Sequence, residues 1–386
     1  MNVLLAPCLV VFLGYLTLGM ALPVIPFRVH DELGLGAVAV GFAIGIQSLA
    51  TLVTRPFTGV LVDERGPRFT ILLGGVLGIL VGLAYLGSSA LAAVGASYTE
   101  LLVGRVLLGL SESMVITGSL AWGIARVGPT RSGAVMVWVG IAMFAALSAG
   151  APLGAELART YGFGAVAIAV TLVPLLMLAC AATLQPVRRP HGPSVSLGTV
   201  LRAVAPAGVG LALTSIGYGA IVAFVTLFFA AHGWHDASYA YTVFGAAFIV
   251  ARLLCGSFPD RFGGVPVAIG ALLVELVGQL LLWRAGVPGV ALVGAALTGA
   301  GYSLAFPAFG VEAVRRIAAA NRGAALGVYV AFLDLGLGVM GPLNGLIAAQ
   351  FGYPAVYAAG ASSALLALGV AFALRTVRAA PPRPPQ

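Results

Sequence analysis

Long apolar runs dominate this sequence, and they constrain its fold more than any other feature. A helix needs about 20 apolar residues to cross the hydrocarbon core of a bilayer. Helices and closed barrels are the structures that can cross, because every backbone polar group must find a partner there. The breaks between the runs fall at turn residues and charge clusters. They predict twelve membrane-spanning helices, at residues 5–27, 37–61, 69–91, 97–124, 133–156, 163–184, 206–230, 239–258, 265–283, 289–311, 323–348 and 355–375.

The composition agrees with an all-α membrane protein. Charged residues make up 8% of the chain and hydrophobic residues 60%, whereas a soluble domain carries roughly a quarter charged residues. The 20 basic residues are all arginine. Because a Walker A phosphate loop and Schiff-base chemistry both require lysine, these classes of site are excluded. The three cysteines show no CxxC spacing, and no enzyme activity, cofactor or metal is expected.

The arginines also predict how the chain lies in the membrane. They alternate with the apolar spans and form no single basic face, which argues against binding of nucleic acid. With the N-terminus in the cytoplasm, fourteen arginines fall in cytoplasmic loops or the C-terminal tail and three on the opposite side. Cytoplasmic loops carry the excess of positive charge in membrane proteins. We therefore expect a multi-pass protein of the cytoplasmic (inner) membrane with both termini in the cytoplasm.

The sequence repeats itself across its longest polar connection. Residues 54–66 (TRPFTGVLVDERG) match residues 251–263 (ARLLCGSFPDRFG) at an offset of 197, and residues 151–166 match residues 341–356 at an offset of 190. Two ordered matches predict two six-helix halves related by an axis along the membrane normal. The expected organisation is an N-terminal bundle over 1–184, a cytoplasmic linker over 185–205, a C-terminal bundle over 206–376 and a disordered Pro-rich tail over 377–386.

Four motifs resemble signatures of the major facilitator superfamily. Residues 59–68 (GVLVDERGPR) are similar to the family's loop between spans two and three, and residues 256–264 carry a second copy. Arg105 and Gly109 resemble an Arg-xxx-Gly signature of span four. Residues 150–154 (GAPLG) resemble the Gly-Pro-xx-Gly signature associated with antiporters that export solutes. The matching loop and span-five residues are Gly59, Asp63, Gly66, Arg68, Gly256, Asp260, Arg261, Gly263, Gly150, Pro152 and Gly154.

The resemblance covers the whole chain and is closest to bacterial drug or sugar efflux permeases. It implies a twelve-helix secondary transporter that works by alternating access of two bundles to a central site. It further implies that Asp63 and Asp260 take part in stabilising one conformational state. The expected partners are a small-molecule solute, protons and membrane lipid, and the expected assembly is a monomer.

Span four carries two charges that belong to one helical face. Arg105 and Glu112 are seven residues apart, which places them two turns apart and within about 20° of each other. A charge at the bilayer centre costs at least about 2.5–3.5 kcal/mol, so it should have a function or a partner. Either Glu112 exchanges a proton and Arg105 tunes it, or the two form a structural charge pair.

Two further acids lie inside spans and are candidates for proton coupling. Asp334 of span eleven lies on a row of glycines, and it could pair with Arg55 or Arg252 or form a second protonation site. Glu275 lies in the middle of span nine. A membrane-embedded acid is by default a functional hypothesis, and the sequence leaves open which of these acids titrates.

The cavity residues follow partly from the family, in which spans one, four, seven and ten line the central site. Aromatic and small polar groups with one acid suit an amphipathic, neutral or weakly cationic solute. The expected function is proton-coupled efflux of a drug-like or sugar-like solute. The alternatives are proton-coupled or facilitated uptake of a sugar or organic acid and, more remotely, a non-transporting receptor or enzyme. The substrate-cavity candidates are Tyr15, Gln47, Arg55, Tyr218, Tyr302, Ser303 and Phe306.

Overall fold

The described part of the chain consists of helices, most of them joined by short turns. A computed structural model describes residues 2–128, 131–187, 197–315, 317 and 322–379. Within these residues, 12 helical segments are long and apolar enough to cross a membrane. The helices are α1 (Asn2–Ala21), α2 (Val24–Phe27), α3 (Ala37–Arg65), α4 (Pro67–Ala90), α5 (Val94–Val127), α6 (Ser132–Tyr161), α7 (Phe163–Ala182), α8 (Leu197–Ala231), α9 (Ser238–Cys255), α10 (Phe258–Phe262), α11 (Gly264–Trp283), α12 (Pro288–Arg315), α13 (Arg322–Phe351) and α14 (Tyr353–Ala379).

The predicted twelve-span fold is confirmed, and several helices extend beyond the expected bounds. The first span continues past α2 as a π-helix, Arg28–Glu32. Helix α8 begins at Leu197, within the segment predicted to be the linker. Helix α14 continues to Ala379, within the segment predicted to be the tail. The rest of the predicted linker and tail, residues 188–196 and 380–386, lies outside the described residues.

The internal repeat appears in the backbone at matching glycines. Gly66 between α3 and α4 has φ +86°, and Gly263 between α10 and α11 has φ +89°. The second pair of matched segments gives Gly162 with φ +79° and Gly352 with φ +81°. A residue with a side chain is strained at such angles, whereas glycine adopts them freely. The two halves therefore turn between successive spans in the same way.

Large apolar side chains cover the outside of the helices. Phe57 is 70% exposed, Leu254 72% and Leu365 54%. A soluble protein rarely leaves so many large apolar groups in water, because contiguous apolar patches drive association. In a bilayer the same surface faces lipid tails, and the helices satisfy their own backbone groups. The exposed apolar surface therefore agrees with a multi-pass membrane protein.

The two bundles touch along the halves of α3 and α13 that lie farthest from the chain termini. A Cβ atom added to Gly41 or Gly45 of α3 would collide with the backbone carbonyls of Gly341 or Gly338 of α13. Small residues permit helices to approach this closely in membranes. Towards the termini, no atom of another described helix lies within 4 Å of a Cβ built on Gly59 or Gly327. The contact between α3 and α13 is therefore close at the end away from the termini and looser towards the termini.

A second contact between the bundles joins α6 to α9 on the same side. The Thr242 hydroxyl of α9 donates a hydrogen bond of 2.9 Å to the Ser148 carbonyl of α6. Gly245, one turn further along α9, lies against the Ser148 side chain. The two contacts occupy equivalent places in the repeat, so the halves meet with approximate twofold symmetry.

We expect Gly41→Ala to destabilise the contact between α3 and α13. The new methyl group would fall on the Gly341 carbonyl, and overpacking of this kind costs about 1–3 kcal/mol. The matched control is Gly140→Ala on α6, where the added Cβ meets open space and helix propensity improves. Melting of the purified proteins should show a loss of several degrees for Gly41→Ala alone. Equal melting temperatures would show that the contact yields without cost.

Candidate functional site

Glu112 lies at the centre of a hydrogen-bonded cluster between α1, α3 and α5. The Tyr15 hydroxyl donates to Glu112 Oε1 at 2.8 Å, and Gln47 Nε2 donates to Glu112 Oε2 at 2.6 Å. Tyr15 and Gln47 are buried, while Glu112 is half-buried. A narrow cavity beside the carboxylate is also lined by Gly14, Leu18, Leu108, Ser111 and Val115. Both carboxylate oxygens thus have a neutral donor, and the cavity borders the group.

Arg55 and Asp334 form an ion pair that crosses between the two bundles. The Arg55 Nε–H of α3 contacts Asp334 Oδ2 of α13, which is 279 residues further along the chain. The side chain of Asp334 is 5% exposed and that of Arg55 18%. Glu112 interacts electrostatically with both members of this pair. Of the two partners considered for Asp334 from the sequence, the structure places Arg55 beside it.

Arg105 does not pair with Glu112, although both lie on one face of α5. Its Nε–H donates to the Ala43 carbonyl at 2.8 Å, and Nη2 approaches the Ile44 carbonyl at 3.5 Å. The side chain is almost fully buried. The alternative of a structural Arg105–Glu112 charge pair is therefore corrected. Two turns of helix keep the side chains apart, and backbone carbonyls of α3 hold the guanidinium instead.

We expect Arg105→Lys to lower stability even though it keeps the charge. A lysine ammonium cannot reproduce the planar fork with which arginine reaches two neighbouring carbonyls. Loss of a hydrogen bond from a buried charged group costs about 1–3 kcal/mol. The control is Arg202→Lys at the exposed start of α8. Thermal unfolding should separate the two variants, and an unchanged melting temperature for Arg105→Lys would contradict this role.

Glu275 occupies a separate polar site inside the C-terminal bundle. It is fully buried on α11 and accepts a hydrogen bond of 2.9 Å from the Thr214 hydroxyl of α8. Its Oε1 has no hydrogen-bond partner among the described residues. Gln279, one turn later, donates to the Thr298 hydroxyl at 3.1 Å. Glu275 therefore belongs to packing between helices of one bundle and is not part of the Glu112 cluster.

The first loop motif lies where α3 ends and α4 begins. Asp63 is exposed in the last turn of α3, and Gly66 makes the turn between the helices. Arg68 Nη2 donates to the Ala182 carbonyl at the end of α7 at 2.7 Å. Gly59 has open space beside it. This loop therefore ties α4 to α7 within the N-terminal bundle.

The second copy of the loop motif has its own short helix. Gly256 ends α9, and Asp260 and Arg261 lie exposed on α10. The Arg261 guanidinium lies 5.2 Å from the centre of the Phe262 ring. Gly263 then turns the chain into α11. The structure thus brings both copies of the motif to the end of the bundles that carries the termini.

The residues that resemble the antiporter signature form a close contact within the N-terminal bundle. Gly150 and Gly154 of α6 lie against the backbone of Gly19 and Met20 of α1. Pro152 lies inside α6 between them. Larger side chains at either glycine would push α1 and α6 apart. This motif therefore sets the distance between the first and fifth spans.

The aromatic cavity candidates lie next to residues that sequence reasoning missed. Tyr218 of α8 stacks on Tyr302 of α12 with ring centres 5.2 Å apart. Phe144 of α6 and Phe248 of α9, absent from the sequence-based candidates, stack at 3.6 Å beside them. The repeat supplies a signal for Phe144, because it lies 190 residues before Asp334. One aromatic cluster thus joins the two bundles.

Two cavity candidates lie deeper in the C-terminal bundle. Ser303 is fully buried and donates to the Phe248 carbonyl at 2.8 Å, which makes it a contact between α12 and α9. Phe306 is half-buried, with its ring 5.5 Å from that of Tyr329. The Tyr329 hydroxyl donates to the Phe306 carbonyl at 2.6 Å. Ser303 and Phe306 therefore pack against neighbouring helices beside the aromatic cluster.

Comparison with known proteins identifies the family. A model of the Major Facilitator Superfamily matches residues 8–235 and 207–386. The chain belongs to the major facilitator superfamily. It is 45% identical over 370 residues to an uncharacterized MFS-type transporter of Burkholderia mallei strain SAVP1, covering 95% of this chain and 91% of the relative. The protein is therefore a multi-pass membrane transporter, and members of this family carry small-molecule solutes.

Solved structures share the fold of this transporter. A D-xylose-proton symporter superposes with a TM-score of 0.75 at 18% identity, covering 95% of this chain and 97% of the symporter. The human organic anion transporter MFSD10 superposes with a TM-score of 0.71 at 16% identity, covering 96% of this chain and 98% of that one. At such identities the likeness shows the shared fold, and the solute must be argued from the site.

Proposed function

We propose that this facilitator-family transporter exports a small amphipathic solute in exchange for protons, with Glu112 as the proton-carrying group. The observation that carries the proposal is the Glu112 carboxylate itself. It is embedded among three spans, held by the neutral donors of Tyr15 and Gln47, and bordered by a cavity. Among the described residues, no arginine forms an ion pair with this carboxylate. Asp334, by contrast, is paired with Arg55.

The position of Glu112 supports a link between protonation and movement of the bundles. Its charge acts on both Arg55 and Asp334, and that pair joins α3 to α13. When Glu112 gains a proton, the local field around Arg55 changes, and so does the strength of the bridge between the bundles. A ligand shifts a conformational equilibrium through its different affinity for the two states. A proton at Glu112 has that property.

The geometry of the two contacts supports alternating access. The bundles meet at the ends of α3, α13, α6 and α9 that lie away from the termini, while Gly59 and Gly327 face open space. With the termini in the cytoplasm, as the arginine distribution predicts, this arrangement is the state that opens to the cytoplasm. We propose that the chain works in this way as a monomer of the inner membrane.

The test uses the full-length protein in liposomes that contain a pH-sensitive dye. Drug-like amphipaths, sugars and aryl carboxylates are added one at a time across a defined gradient. Export by antiport predicts that solute flow in one direction drives proton flow in the other. Proton flow in the same direction as the solute would make the protein a symporter. Solute flow without proton flow would refute proton coupling.

A further inference from the structure

The repeat places Arg252 at the position in α9 that Arg55 occupies in α3. The two arginines lie 197 residues apart in matched segments. Arg55 meets the carboxylate of Asp334. Arg252 is half-buried, and no carboxylate of the described residues forms an ion pair with it. Its guanidinium lies instead 5.1 Å from the centre of the Phe248 ring.

The residue equivalent to Asp334 explains the difference. The second pair of matched segments has an offset of 190, so Asp334 corresponds to Phe144 of α6. The Phe144 ring stacks on Phe248 at 3.6 Å, one turn from Arg252. An aromatic ring thus stands in one half where the other half has a carboxylate. Arg252 therefore lacks an acid of the kind that neutralises Arg55.

Aromatic rings from both bundles surround this position. Phe144 contributes from the N-terminal bundle, and Tyr218, Phe244, Phe248 and Tyr302 contribute from the C-terminal bundle, with ring centres 3.6–6.4 Å apart. Such rings bind flat apolar groups by stacking and edge-to-face contact.

Arg252 interacts electrostatically with Tyr302 and Tyr329, and its guanidinium borders the cluster at the Phe248 ring. A cation and an apolar platform therefore lie next to each other at the boundary between the bundles.

We propose that Arg252 binds the carboxylate of an aromatic carboxylate solute whose ring rests on this cluster. The inference rests on the proposed transport function and names its solute class. The guanidinium fork matches a carboxylate in two-point hydrogen bonding. A cation inside a membrane span is costly unless it meets a partner or water, and an anionic solute supplies a partner while it is bound. This revises the sequence-based expectation of a neutral or weakly cationic solute, which considered Glu112 and not Arg252.

The test measures binding by the full-length protein in detergent, so that it does not depend on transport. The probes are 1-naphthoate and its neutral amide, 1-naphthamide, together with benzoate and benzamide as a smaller pair. Dissociation constants are obtained by calorimetric titration. We expect the wild type to bind each carboxylate about ten- to hundredfold more tightly than its amide, as for a hydrogen-bonded charged group. Equal affinities, or no binding of either carboxylate, would overturn the proposal.

Variants of Arg252 test whether this residue causes the preference for the carboxylate over the amide. Arg252→Gln should bring the carboxylate-to-amide ratio close to one, and Arg252→Lys, which keeps the charge without the fork, should retain part of it. The matched control is Arg284→Gln, since Arg284 also stacks on an aromatic ring, that of Trp283 at 4.5 Å. If Arg252→Gln does not give a monodisperse protein, a ratio in Arg252→Lys equal to that of the wild type would be decisive against the site.

Binding and proton flux, measured side by side, separate this inference from the proposed function. Carboxylate binding by the wild type and the Arg252 variants is compared with proton flux through the same proteins. A preserved preference with no proton flux in any variant would refute proton coupling and leave the anion site standing. Coupled proton flux without any carboxylate preference would refute the anion site alone.

Discussion

Replacing Glu112 with glutamine should reduce solute-evoked proton flux in liposomes to the level of liposomes without protein. Glutamine has nearly the same size, and its carbonyl can still accept a hydrogen bond from the Tyr15 hydroxyl, which now lies 2.8 Å from the carboxylate. The amide cannot exchange a proton, however. The variant should therefore fold and bind solute while it loses coupling. The measurement is dye fluorescence after a solute pulse, with solute uptake recorded in parallel.

The control for Glu112→Gln lies on the same helix. Glu100 is half-buried near Gly87, in the N-terminal part of α5 and about three turns before Glu112. Glu100→Gln removes one acid from α5 without touching the Tyr15–Glu112–Gln47 cluster, and proton flux should remain at the wild-type level. If Glu112→Gln retains full proton flux, coupling does not depend on this carboxylate. The same assay on Glu275→Gln would then test the buried acid of α11.

The twelve spans could be predicted from the sequence because their signal is local. Each span is a run of apolar residues long enough to cross a bilayer, and the glycines at the turns are fixed by backbone geometry. The start of α8 was predicted too late. Pro206 looks like a helix boundary, yet it lies inside the helix Leu197–Ala231. Neighbouring helices and side chains make an internal proline tolerable in membrane spans.

The partners of charged side chains could not be read from the sequence in the same way. Helical spacing placed Arg105 and Glu112 on one face of α5, but it carries no information on the facing helix. Arg105 binds carbonyls of α3, 61 and 62 residues earlier in the chain. Asp334 had two candidate arginines, and the choice depends on how the bundles meet. Long-range packing, which no single helix encodes, decides such pairs.

The repeat contained more information than its motifs alone. Alignment of the halves shows which residues are equivalent, and the structure shows where equivalent residues differ. Arg55 and Arg252 match, whereas Asp334 and Phe144 do not. Differences between the two halves are informative. Symmetry of the fold alone would place the same arginine and the same acid in both halves. The asymmetric position lies where the bundles meet, which is where a secondary transporter binds its solute.

Replacing Asp334 with asparagine should destabilise the protein strongly, because it leaves the Arg55 guanidinium without its carboxylate. Removing one partner of a buried ion pair costs about 3–5 kcal/mol. We expect the lower end of that range, because the Arg55 side chain is 18% exposed. The double variant Arg55→Gln/Asp334→Asn should recover most of the loss, since neither member of the ion pair then remains without the other. Melting of the purified proteins gives the comparison, and Glu156→Gln, which breaks the exposed Glu156–Arg159 pair, should change little.

The double variant also distinguishes a structural role from a role in transport. If the Arg55–Asp334 bridge only holds α3 against α13, the double variant should recover both stability and transport. If Glu112 acts on this bridge during the cycle, stability should recover while solute-driven proton flux stays low. Full stability of the single variant Asp334→Asn would contradict the first part of the argument. Recovery of transport together with stability would contradict the second, and coupling would then have to pass through Glu112 without the bridge.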